Sequence, residues 1–140
     1  MINKKPITSF KDLEVYQNTY EACIIVHKKI LPKLPEKERY ILYDQLSRST
    51  KAIPRLIAEG YAKRHQRSGF QKYLDDAMGE CNETLVCLEQ IIDIYEIETE
   101  LCIKLVDVYD KSGRQLYKLA NAWKQFKKDE RPNRYTIRAS

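Results

Sequence analysis

The chain has 140 residues, 43% of them hydrophobic and 32% charged, with a formal net charge of +5. That length suits one domain with a core of its own, and the balance suits helical surfaces rich in ion pairs. Only four glycines occur (Gly60, Gly69, Gly79, Gly113), too few for an all-β chain full of tight turns, and no run approaches the roughly eighteen apolar residues that span a membrane. The charge is segregated: residues 1–70 carry +7, residues 71–110 carry −9 and residues 111–140 carry +7. One acidic segment between two basic ones allows pairing within a bundle or between subunits and leaves a basic surplus for a polyanion. The opening Met1-Ile2-Asn3-Lys4-Lys5-Pro6 is followed by no apolar leader run, so the expectation is a soluble, cytoplasmic protein.

The first predicted helix starts near Ser9, with Asp12 three residues on as a capping-box pair. Leu13, Tyr16, Tyr20, Cys23, His27 and Ile30 recur at helical spacing as its inward face, and Pro32 and Pro35 end it. The second is expected from Pro35, with Glu36 and Glu38 suiting the positive helix end. Leu42, Leu46, Ser49, Ile53, Leu56 and Ile57 form its inward face, and Gly60 lies where a stop or one further turn is expected. Pro54 stands inside this helix at a cost of about 3 kcal/mol, since it removes a backbone bond and crowds the carbonyl of Thr50. Either a bend or compensating packing must offset that.

Ser68 and Gln71 predict a capped third helix with the cleanest seam in the chain: Phe70, Leu74, Ala77, Cys81, Thr84, Leu88, Ile91 and Tyr95, widened by Met78, Leu85 and Ile92. After a break at Ile97-Glu98-Thr99 comes a fourth, carried by Leu101, Leu105, Val108, Leu116, Leu119, Trp123 and Phe126, with Ser112-Gly113 as a weak spot. No stretch alternates with the period of a strand. Short connections imply antiparallel neighbours, so the predicted fold is all-α: an antiparallel up-down-up-down four-helix bundle over residues 9–127, with a flexible basic tail over 128–140.

The main candidate site is a basic stripe on the second helix, Arg48, Lys51 and Arg55, continued by Lys63, Arg64, Arg67 and Lys72. Residues 48–72 hold seven bases against one acid, Glu59. Phosphate contact, pairing with a neighbour's acidic helices, and a plain solvated face all fit that pattern. Arg48 lies two residues from Leu46, about 200° round the helix, so the stripe should face away from the core. Glu59 has no carboxylate or histidine partner at helical spacing, and pairing with Arg55 suits it better than acid–base work. The acids of the third helix, Asp75, Asp76, Glu80 and Glu83, lack the Glu-x-x-His pairs of a di-iron bundle. His27 reads as buried and hydrogen-bonded, His65 as exposed, and Cys23, Cys81, Cys87 and Cys102 as buried thiols with no zinc spacing. Tyr16, Tyr20, Tyr73 and Tyr95 fit core or rim positions, whereas Tyr40, Tyr43, Tyr61 and Tyr135 are freer to stack on bases. In the tail, Lys127, Lys128, Arg131, Arg134 and Arg138 make either a basic arm or a frayed end. With no nucleophile–base pair, phosphate loop or metal spacing, neither an enzyme nor a cofactor is expected.

Phe10-Lys11-Asp12-Leu13, Val15-Tyr16-Gln17, Pro35, Glu38, Leu42, Gln45, Arg48, Ile53-Pro54, Ile57-Ala58-Glu59-Gly60, Phe70, Leu74, Ala77, Gly79 and Glu83 together resemble the bacterial four helix bundle protein family. That family was first met as the protein encoded by intervening sequences in large-subunit ribosomal RNA genes. It is related distantly to the accessory variability determinant proteins of diversity-generating retroelements. The chain departs from the pattern at Ser49, Leu56 and Glu80, where the family carries arginine, asparagine and serine. The resemblance implies a homo-oligomeric ring, commonly a homopentamer, and for the retroelement relatives it implies binding to nucleic acid and to a reverse transcriptase. The expected function is therefore a non-enzymatic nucleic-acid-binding or adaptor protein. The alternative is a protein–protein scaffold whose basic and acidic faces pair within the ring.

Overall fold

A computed structural model describes residues 6–130 of the chain. Ser9 caps a 3-10 turn, Phe10–Asp12, through the expected box, with its side chain accepting from the turn's backbone and Asp12 reaching back to the Ser9 amide. Helix α1 follows at Glu14–Ile25 and runs on through a π-helical turn, Val26–Ile30, and a 3-10 turn, Leu31–Lys33, before Pro35 ends the path. Helices α2 (Leu42–Ala62), α3 (Gly69–Gln90) and α4 (Thr99–Glu130) complete an antiparallel up-down-up-down bundle. At one end Phe70, opening α3, packs edge-on against Trp123 of α4 at 5.4 Å. At the other, Lys33 pairs with Glu98 and Tyr95 bonds Glu38. Glu96 and Glu98 turn the chain between α3 and α4 with φ of 53° and 46°, a left-handed backbone unusual outside glycine.

Three local expectations are corrected. Helix α2 starts at Leu42, not Pro35: Glu36–Glu38 forms a separate 3-10 turn, and the backbone at Ile41 leaves the helical region. Ser68 does not cap α3 with its side chain, because its ψ of 11° is far from the extended backbone that aims a cap hydroxyl at the first amides. The inward face of α1 is also rotated. Its buried stripe is Val15, Thr19, Ala22, Cys23, Val26 and Ile30, leaving Tyr16 and His27 half-buried and Tyr20 52% exposed. The side chains that face the core are mostly small or β-branched, and the larger aromatics are displaced to the flank of α1.

The α3 seam is buried as expected from Phe70 to Ile91, with Tyr95 half-buried. In α4 the buried line runs through Cys102, Leu105, Tyr109, Ser112, Leu116 and Ala120, while Leu101, Val108, Leu119 and Trp123 flank it. Each fully buried aliphatic side chain, such as Leu46, Ile57, Leu74 or Leu116, contributes about 1.5–3 kcal/mol through burial. The buried hydroxyls of two helices are satisfied one turn back: Thr19 donates to the Val15 carbonyl at 2.8 Å and Ser112 to that of Val108 at 2.7 Å. Thr84 of α3 donates to Ser49 of α2 at 2.7 Å across the core. All four cysteines are free and buried, and burial pushes the thiols of Cys87 and Cys102 up to about 11 and that of Cys81 to about 12.

Gly60 lies within α2 rather than ending it. A Cβ there would stand 2.7 Å from the Tyr73 Cβ and 3.2 Å from a ring carbon of Phe70, so its missing side chain lets α2 and α3 touch. Helix α4 continues to Glu130, three residues into the stretch expected as tail, and Arg131, Arg134, Tyr135 and Arg138 lie outside the described residues.

Candidate nucleic-acid interface

Helix α2 carries Arg48, Lys51 and Arg55 on one exposed stripe, as their spacing requires. They form the rim of a groove of about 590 Å³ between α1 and α2. The opposite wall is the displaced stripe of α1, Tyr16, Tyr20, Ile24 and His27, joined by Phe10 from the leading turn. Cys23, Pro54 and Ala58 complete the lining, so the helix-interior proline faces this groove. Phe10 packs edge-on against Tyr16 at 4.9 Å, and the Tyr16 and Tyr20 rings lie 5.9 Å apart with planes 31° from parallel. Tyr20 and Ile24, 52% and 40% exposed, present their apolar surface to solvent.

Arg48 Nε lies 3.5 Å from Asp44, and Arg55 Nε donates to the Lys51 carbonyl at 3.2 Å. An exposed pair of that kind contributes little and leaves the guanidinium available. Burial pushes the Cys23 thiol up, while a bond to Thr50 and the positive charges of Lys51 and Arg55 act the other way. His27 closes one question about this groove. Its Nδ1 is 2.8 Å from the Cys23 carbonyl, which can only accept, so Nδ1 carries the proton. Nε2 then accepts from the Ser47 hydroxyl at 3.0 Å. No lone pair remains for the Cys23 thiol, 3.7 Å from Nδ1, and the two side chains do not form a nucleophile–base pair.

The rest of the predicted stripe is not one surface with the groove. Lys63 donates to the Tyr73 hydroxyl at 2.7 Å and to Glu59 at 3.3 Å, tying the end of α2 to α3. Both partners raise the Lys63 ammonium above its ordinary range, Tyr73 foremost. Glu59 thus pairs with Lys63 and Tyr73, not with Arg55. Arg64 lies over the Tyr61 ring at 3.9 Å and donates to its carbonyl at 2.7 Å. Arg67 and His65 are exposed in the connection to α3, and Tyr40, 85% exposed, stands with Tyr43 at the far end of α2.

Beyond Arg55, on the other flank of α2, a second groove of about 530 Å³ is lined by Leu56, Glu59, Asp75, Asp76, Gly79 and Glu80, among others. Leu56 and Glu80, two of the departures from the family pattern, therefore meet in one place. Burial pushes the Glu80 carboxyl up, helped by the charge of Glu83 and opposed by Arg48. Among the described residues no three His, Cys, Asp or Glu side chains gather as a metal site, and no helix is long and apolar enough to cross a membrane.

The groove residues Tyr16, Tyr20, Ile24 and His27 escaped the sequence reading as a surface. The signal was present as a second stripe on α1, at 15, 19, 22 and 26, made of smaller side chains at helical spacing. A model of the family described as 23S rRNA-intervening sequence protein matches residues 11–118, from the turn before α1 well into α4. No curated protein matches the chain.

Proposed function

As the chain belongs to the 23S rRNA-intervening sequence protein family, we propose that it is a non-enzymatic, homo-oligomeric nucleic-acid-binding protein that makes its contacts through the α1–α2 groove. The observation that carries this reading is the rim of Arg48, Lys51 and Arg55 above an aromatic wall. Cations at that spacing neutralise phosphates and release counterions, and repetition of the groove round an oligomer adds weak contacts by multivalency. Lys63 and Arg64 hold the end of α2 in shape, and Arg67 adds long-range attraction.

Fluorescence anisotropy of labelled RNA and DNA at low and near-physiological salt tests this. Three phosphate contacts give a log–log salt slope of about −2 to −3 per groove. No binding at low salt, or a flat slope, sinks the reading. An accessory role beside a reverse transcriptase, which the resemblance implies, is checked by whether a neighbouring gene encodes one.

One observation favours a second reading, a scaffold. The groove carrying Glu59, Asp75, Asp76 and Glu80 lies just across α2 from the basic rim, so a neighbouring copy could be held by charge complementarity. Arg48→Glu with Arg55→Glu separates the two: a fall in solution mass supports the scaffold, and an unchanged mass with lost RNA binding supports the first reading.

A further inference from the structure

We propose that the α1–α2 groove takes unpaired nucleotides, with a base stacked against Tyr20 and the phosphates beside it held by Arg48, Lys51 and Arg55. The inference rests on the nucleic-acid reading and narrows its ligand to single-stranded segments. A surface that meets only duplex phosphates needs cations on a smooth face, since the bases are already stacked within the duplex. This groove offers more than cations. Its volume of about 590 Å³ is in the range of sites that enclose small ligands, and its α1 wall is largely aromatic.

Tyr20 is 52% exposed, although α1 has a full buried stripe on another side. Its ring is backed by Tyr16 at 5.9 Å, and Tyr16 is fixed by the edge of Phe10 at 4.9 Å. A ring braced on one side and open on the other is a stacking platform, and every base has a face to lay on it. The cations follow α2 with rises of about 4.5 and 6 Å from Arg48 to Lys51 to Arg55, steps on the scale of neighbouring phosphates along one strand.

The imidazole in the groove wall is not free to read base edges. The His27 nitrogens are committed to the Cys23 carbonyl and the Ser47 hydroxyl. Recognition through stacking and charge is therefore expected to tolerate sequence.

The test uses the full chain, a labelled oligo(U) strand and a blunt RNA duplex of equal phosphate number. Tighter binding of the single strand supports the proposal. Tyr20→Ala should weaken oligo(U) binding about 5- to 150-fold and leave duplex binding unchanged, while Tyr20→Phe, which keeps the ring, should retain it. Exposure of Tyr20 keeps these variants folded. Arg48→Gln with Arg55→Gln should weaken both ligands. If both ligands bind equally and Tyr20→Ala changes neither, the single-strand inference is overturned and the nucleic-acid reading stands. If neither binds at low salt, both fall together. A Glu- and Tyr-rich peptide that binds where oligo(U) does not, and is lost in Tyr20→Ala, overturns the inference in favour of a protein partner.

Discussion

The two flanks of α2 are built in opposite ways. Toward α3 its inner face, Ile53, Ile57 and Gly60, closes fully below the acidic groove: Gly60 admits the Tyr73 side chain, Ser49 bonds Thr84, and Lys63 ties Tyr73 to Glu59. Toward α1 it presents Arg48, Pro54, Arg55 and Ala58 to an open groove walled by aromatics. The Ile-Ala-Glu-Gly run is thereby divided, with Ile57 and Gly60 closing the seam, Glu59 anchoring its end and Ala58 lining the groove. Side-chain size decides which apolar stripe closes. Small residues bring backbones together, while large rings hold them apart and leave a concavity.

Truncating one residue on each flank should have very unequal effects. Ile57→Ala removes a fully buried side chain from the α3 seam and should cost about 2–5 kcal/mol. Tyr20→Ala in the groove should change stability by no more than about 0.5 kcal/mol, because half of its surface is already in water. Urea denaturation at one fixed protein concentration measures both, since association would add to apparent stability. Similar losses would mean that the groove is part of the core. Gly60→Ala comes next. Its Cβ would stand 2.7 Å from that of Tyr73, so the helices must part, at about 1–3 kcal/mol. Gly79, with nothing within 4 Å of an added Cβ, should accept alanine with no loss.

Much of this architecture was legible and part of it was not, for physical reasons. The order of four helices, the Ser9–Asp12 cap and the α3 seam followed from turn residues and a period in which large apolar side chains point inward. Arg48, Lys51 and Arg55 were legible as exposed by their angle from Leu46. The face of α1 was not, because the rings of Tyr16 and Tyr20 carry more apolar surface than Thr19 and Ala22, yet the smaller side chains are the ones buried. Nor was the division of the basic stripe. Lys63 is held by Tyr73 of another helix, and no spacing within residues 48–72 announces that approach. Tyr109, buried at the centre of α4 with no partner for its hydroxyl among the described residues, was missed because tyrosine usually keeps that group wet.

The two flanks also differ at alkaline pH, through two thiols. Cys81, in the α3 seam, keeps its proton to about pH 12 when folded and loses it from its ordinary 9.0 when unfolded. Its contribution is intact below pH 9 and should be lost as pH rises toward 12, by about 1.4 kcal/mol per pH unit. Burial also raises the Cys23 thiol, but Thr50, Lys51 and Arg55 oppose the shift. Cys81→Ala should therefore flatten the alkaline limb of the stability curve more than Cys23→Ala does. The slope is the readout, because either change also alters packing at every pH. A larger flattening from Cys23→Ala would show the groove to be drier than the seam.

One substitution should bring a gain. Gly113 interrupts α4 between Ser112 and Arg114, where glycine costs a helix about 0.5–1 kcal/mol relative to alanine. A close contact could justify it, as at Gly60, but an added Cβ would meet only the Cys81 Cβ, at 4.0 Å, an ordinary van der Waals distance. Gly113→Ala should therefore raise stability by about 0.5–1 kcal/mol in the same urea measurement, where Gly60→Ala lowers it. A loss at both positions would mean that α4 approaches α3 as tightly as α2 does, and that α3 is clamped from both sides. A gain at Gly113 with a loss at Gly60 assigns the close approach to the α2 side alone, the helix whose other flank is open.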